Sequence, residues 1–133
     1  MTAPSPRRID PEGFTRAAHF SQAVLAPAGL DLVLVSGQVA GDGFDQIAAD
    51  DFEAQVGKAF DRIEAILGAA GLTLAHVVKV NGYITDRAHV AAYRKVFLAR
   101  LGDTRPTSTL VIAQLIDPRL LVEIEVVAAK APA

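Results

Sequence analysis

The sequence contains no cysteine, which excludes disulfides, thiolate metal ligands and a cysteine nucleophile. It also lacks an excess of basic charge. Thirteen Lys and Arg face 15 Asp and Glu, a formal net charge of -2, so there is no electrostatic footprint for nucleic acid or an anionic membrane. No apolar run approaches the roughly 20 residues that a bilayer-spanning helix requires. Arg7 and Arg8 are not followed by the apolar stretch of a secretory signal, and the expectation is a cytoplasmic protein. His19, His76 and His89 show no paired metal spacing, and no Ser-His-Asp arrangement or glycine-rich phosphate loop is present. No metal and no cofactor are expected, and the histidines read as surface or packing residues.

What is present is apolar. Of 133 residues, 51% are hydrophobic and the mean hydropathy is +0.31, which is high for a chain that stays single and points to apolar surface meant for partners. The length fits one domain that buries roughly two thirds of its unfolded surface. Within it, residues 1–18 read as an N-terminal extension and 19–129 as the core.

Residues 19–25 and 32–39 are predicted strands, joined as a hairpin by Ala26-Pro27-Ala28-Gly29. At Asp50 the period changes. Asp50 with Glu53 resembles a capping box, and Phe52, Val56, Phe60, Ile63 and Leu67 form a helical stripe that Gly71 closes. A strand follows over 75–84. Asp86 then caps a second helix with the stripe Val90, Tyr93, Phe97 and Leu101, ended by Gly102. Two further strands, 108–116 and 120–129, flank Asp117-Pro118. The expected fold is α+β, in the order ββαβαββ.

Along 108–116, Leu110 and Ile112 point one way, and Val111, Ala113 and Leu115 point the other. Two helices cover only one face of a sheet. The second face then calls for burial against another copy of the chain.

Several short motifs, taken in order, resemble those of the Rid (reactive intermediate deaminase) family, also called YjgF. They are Ser36-Gly37-Gln38, Ala69-Ala70-Gly71-Leu72 with Val77-Val78-Lys79-Val80, Thr85-Asp86 followed by Tyr93 and Phe97, and Leu121-Val122-Glu123-Ile124-Glu125. Together they run from about His19 to Ala129. The resemblance implies a chorismate-mutase-like sheet with two helices on one face, assembled as a trimeric barrel, with small-molecule clefts between subunits. It also implies hydrolysis of enamines and imines, such as 2-aminoacrylate, to 2-keto acids and ammonia.

The resemblance assigns residues too. Glu123 matches the glutamate that handles protons or positions water, and is the candidate catalytic residue. Glu123 and Glu125 share one face of their strand, about 7 Å apart, so repulsion is expected to raise at least one pKa. Glu123 is assigned to the cleft, and Glu125 to a solvent-exposed face. Ser36 and Gln38 are candidate substrate-binding groups, with Gly37 suited to a bulge or a close backbone approach. The family's carboxylate-gripping arginine is replaced by Thr107, a neutral donor in place of a charged fork. Arg105, two residues upstream, either swings into the same cleft or is a solvated residue at the strand entrance. A tyrosine expected in the first strand is Phe20, and an asparagine of the second helix is Val90.

Three functions follow: an imine or enamine hydrolase with altered preference, a non-catalytic binder of a small metabolite on the same fold, and a nuclease. The acidic charge makes the nuclease the weakest of the three.

Overall fold

A computed structural model describes residues 2–41, 47–48 and 50–133. Among the described residues, the strands and α-helices are β1 (Arg7–Ile9), β2 (Ala23–Leu25), β3 (Asp31–Gln38), α1 (Phe52–Ala69), β4 (Val77–Ile84), α2 (Val90–Leu101), β5 (Thr107–Ile112) and β6 (Val122–Lys130).

The helices form where the periodicity places them. The α1 stripe of Phe52, Val56, Phe60, Ile63 and Leu67 is buried. Its cap is Asp51, one residue later than expected. The Asp51 carboxylate accepts from the Ala54 N–H at 3.0 Å, while Asp50 lies outside the helix at φ 62°. Glu53 therefore does not reach back to the cap; it meets Lys95 at 3.4 Å. At the other end Gly71, at φ 79°, allows the Leu72 N–H to reach the Leu67 carbonyl at 2.9 Å. Asp86 caps a single 3-10 turn at Arg87–His89 that leads into α2, whose Tyr93, Phe97 and Leu101 are buried.

Both helices pack on one face of a four-stranded mixed sheet of order β3-β6-β4-β5. The β3–β6 and β6–β4 pairs are antiparallel, and β4–β5 is parallel. Inward-facing Val80, Ile84, Val122, Ile124, Val126 and Ala128 join the helix stripes in one core.

Two expectations need correction. The hairpin of 19–25 with 32–39 does not form, because β2 pairs instead with β1, at Arg8↔Val24. The backbone before β2 is already engaged elsewhere. The Ser21 N–H donates to the Pro106 carbonyl at 3.0 Å, and the Gln22 N–H to Asp10 Oδ1 at 3.1 Å. The element order is thus βββαβαββ, with the extra strand drawn from the N-terminal extension.

The second correction concerns the face without helices. Leu32, Leu34 and Val111 stand exposed on it, Leu34 at 75%. The two central strands, however, put Lys79, Asn81, Tyr83, Glu123 and Glu125 there, opposite the core residues with which they alternate. That face is apolar at its margins and polar at its centre. Among the described residues, no helix is long and apolar enough to cross a membrane.

Candidate functional site

The polar centre is anchored by an irregularity in β3. Val35 pairs with Val126 and Gln38 with Ile124, so three steps along β3 face two along β6. This is a bulge at Ser36-Gly37. A Cβ on Gly37 would collide with the Glu123 carboxyl group, so glycine is what lets that carboxyl lie directly on the strand backbone. Beside it, the Gln38 amide donates to the Ser36 carbonyl at 3.0 Å, and its oxygen accepts from Arg62 Nε at 3.0 Å. Ser36, Gln38 and Glu123 are therefore brought together.

Two cavities meet at Glu123. One, of about 300 Å3, is lined by Gly37, Gln38, Arg62, Ile116, Leu120 and Glu123, among others. The other, of about 500 Å3, is bordered by Tyr83, Gln114, Ile116, Glu123 and Glu125. Ile116, 85% exposed, belongs to both.

The paired carboxylates have opposite environments. Burial, followed by the nearby Glu125 charge, pushes the Glu123 pKa up. A hydrogen bond from the Tyr83 hydroxyl at 2.5 Å, followed by one from the Asn81 amide at 3.2 Å, lowers that of Glu125. Holding that carboxylate in turn raises the Tyr83 pKa. Glu125 is thus not on a free solvent face as expected. It is half-buried and doubly bonded, because its cross-strand neighbours Asn81 and Tyr83 present donors to it. The result is one carboxyl that keeps its proton longer than usual beside one fixed as an anion.

The other candidate residues gather at the opposite end of β5. The Thr107 hydroxyl donates to the Val78 carbonyl at 3.2 Å. Arg105 follows neither sequence expectation. It is only 8% exposed, and its guanidinium donates to Asp10 at 2.8 Å, the Phe20 carbonyl at 2.9 Å and the Ala17 carbonyl at 3.0 Å. Its backbone is left-handed, at φ 45°, which turns the side chain into the N-terminal segment; such a conformation costs about 1–3 kcal/mol and persists where the surroundings fix it. The Phe20 ring packs edge-on against His19 at 4.8 Å and lines a third cavity of about 210 Å3 with Tyr93, Arg94 and Ser108. Val90, half-buried, packs against the core.

Within one chain these two groups do not meet. Thr107 pairs with Lys79 and Glu123 with Tyr83, four residues apart along β4, or about 13 Å. Sequence reasoning missed Arg62, Asn81, Tyr83 and Ile116 at the Glu123 end, and Asp10 at the other. Asn81 and Tyr83 share one strand face by alternation, a visible signal; what joins them to Glu125 is a register between distant strands.

Comparison with known proteins agrees with this architecture. Residues 12–130 match the family described as Endoribonuclease L-PSP. A RutC family protein of Pyrococcus horikoshii is 30% identical over 84% of this chain and 86% of its own length. A Salmonella typhimurium protein named 2-iminobutanoate/2-iminopropanoate deaminase is 29% identical over 87% of this chain and 97% of its own. Among solved structures, the Rid-family protein YyfB of Yersinia pestis superposes with a TM-score of 0.81 at 28% identity, covering 95% of this chain and 99% of that one. A YjgF-family member from Mycobacterium tuberculosis is 36% identical, with a TM-score of 0.65 over 93% of this chain and 98% of its own. By this match along most of its length, the chain belongs to the Rid/YjgF family.

Proposed function

We propose that the chain hydrolyses small imines or enamines to keto compounds and ammonia, in clefts between the subunits of a cytoplasmic homotrimer. The observation that carries the reading is the Glu123 carboxyl, whose pKa burial pushes up, at the junction of two cavities. An acid-base group works best when its pKa approaches the working pH.

The chemistry asks for two proton movements. As water adds to the imine carbon, Glu123 takes a proton from it and delivers one to nitrogen, giving a carbinolamine. Transfer of the hydroxyl proton to nitrogen through the same carboxyl then breaks the C–N bond, releasing ammonia and leaving C=O. Glu123 ends each cycle as it began, and no redox partner is needed. Ser36 and Gln38 would border the substrate from the same chain. In a cleft between copies, Thr107 and Phe20 of a neighbour would form the facing wall, with Arg105 in reserve behind its bond to Asp10.

One observation favours a second reading, a metabolite binder without hydrolysis. Thr107 is bonded to the Val78 carbonyl and Arg105 is held by Asp10 within the same chain, so neither is turned outward as a carboxylate grip. The test generates 2-aminoacrylate or 2-iminobutyrate in situ and follows ammonia release or semicarbazone trapping. The hydrolase reading expects acceleration that Glu123→Ala reduces by about 10²–10⁴-fold. No acceleration by the wild-type protein removes it. Thermal shift with 2-keto acids then decides for the binder, since a ligand selective for the folded state raises the Tm.

A further inference from the structure

Away from Glu123, a cavity of about 560 Å3 lies beside the β1–β2 ribbon and shares no lining residue with the two that meet at that glutamate. Its walls come from the ribbon, from residues 75–78 at the entry to β4, and from Thr104 ahead of β5. That volume falls in the range of small-molecule sites, roughly 300–1,000 Å3.

Two nitrogen donors are set in this cavity by bonds to the backbone. Arg8 and Val24 are cross-strand partners, so their side chains stand on one face of the ribbon. The Arg8 Nε donates to the Thr104 carbonyl at 2.8 Å. That bond orients the guanidinium and leaves its terminal nitrogens without a partner among the described residues. His76 lines the same space, and the turn it closes fixes its ring. The Thr73 N–H donates to His76 Nδ1 at 2.9 Å. A backbone N–H only donates, so Nδ1 is the acceptor and the ring proton sits on Nε2. His76 therefore offers an N–H even when it is uncharged.

Exposed Arg7 adds a second positive charge, and no carboxylate stands among the described lining residues. Val24, Ala75, Val77 and Ala129 supply apolar wall. Donors and positive charge without a counter-charge suit an oxyanion, and the wall beside them suits a short carbon chain.

We infer that this cavity binds a small organic anion, its carboxylate or phosphate head held by Arg8 and the His76 Nε2–H, its apolar body against Val24 and Val77. The site is separate from Glu123 and stands whether or not imines are hydrolysed there.

The probes are butyrate, n-butyl phosphate, inorganic phosphate and 1-butanol, titrated onto the isotope-labelled full-length chain and followed by backbone amide shifts. Saturable shifts centred on Arg8, His76 and Thr104 are expected with butyrate or n-butyl phosphate, and the tighter of the two names the head group. Arg8→Ala weakens that probe about 10-fold, the low end for a charge-assisted hydrogen bond because the guanidinium is exposed. Val24→Glu sets a carboxylate opposite Arg8 in register and weakens the probe without removing the bond to Thr104. It keeps the test open if Arg8→Ala fails to fold. The inference is overturned if neither organic anion saturates, if the shifts centre on Gly37, Gln38 and Glu123, or if the variants that fold leave binding unchanged. Equal binding of 1-butanol would remove the role of the cations. Inorganic phosphate held as tightly as n-butyl phosphate would reduce the cavity to the site of an adventitious ion only.

Discussion

The two faces of the four-stranded sheet are cut from the same strands, residue by residue in alternation, yet they do different work. Toward the helices, Val122, Ile124 and Val126 on β6 are buried among Phe60, Ile63 and Phe97. Between them, facing away, stand Glu123 and Glu125. The inner face holds the fold by removing apolar area from water. The outer face keeps polar groups whose burial and pairing are incomplete, which is where chemistry and recognition remain open.

The largest effect belongs to the inner face. Ile124→Ala empties a fully buried position and is expected to cost about 2–5 kcal/mol in urea unfolding, the range for large-to-small changes in cores. A loss under about 0.5 kcal/mol, the range for surface positions, would erase the contrast between the faces.

Next comes the point where the outer face constrains the backbone. Gly37→Ala places a Cβ against the Glu123 carboxyl, an overpacking expected to cost about 1–3 kcal/mol. The side chain in the way is known, so Glu123→Ala in the same protein should restore most of that loss in a double-mutant cycle. Additive losses would mean that the glycine serves only the bulge.

Leu34, exposed on the outer face, tests assembly. For one chain alone, Leu34→Asp should shift unfolding stability within about 0.5 kcal/mol. If copies close over this face as proposed, light scattering gives a multiple of 14.0 kDa for wild type and a smaller particle for Leu34→Asp. A wild-type protein at the mass of one chain would leave the clefts without a second wall.

Legibility in the sequence follows the range of the interactions. The α1 stripe, the glycine at its end, the β6 alternation and the crowding of two carboxylates are local, set by residues within a turn or two positions of each other. The pairing of β1 with β2 was not legible, because a three-residue strand is chosen by which backbone groups remain unpaired after folding. Tyr83 and Glu125 lie 42 residues apart, so no spacing rule joins them. Arg105 reads as a cleft or surface residue until its left-handed backbone turns it inward. Arg62 carries no motif, and only the meeting of α1 with the bulge sets it against Gln38.

The finest contrast lies within the outer face itself, between its two carboxylates. The Glu125 pKa is lowered in the fold, by the Tyr83 hydroxyl first. Between its folded and ordinary values the unfolded chain binds more protons, so stability rises with pH there. Its contribution is complete above the ordinary carboxylate range and is lost as pH falls through the lowered pKa. The Glu123 pKa is raised, by burial first, and the folded chain holds that proton longer. Its contribution is complete below the ordinary range and is lost as pH rises through the raised pKa. Urea unfolding from about pH 3 to 7 spans both windows. Glu125→Gln should flatten the acid-side decline, whereas Glu123→Gln should remove the opposing loss and leave the protein slightly more stable than wild type at neutral pH. Two variants that tilt the profile in the same direction would show that the pair does not divide its protons as the hydrogen bonds imply.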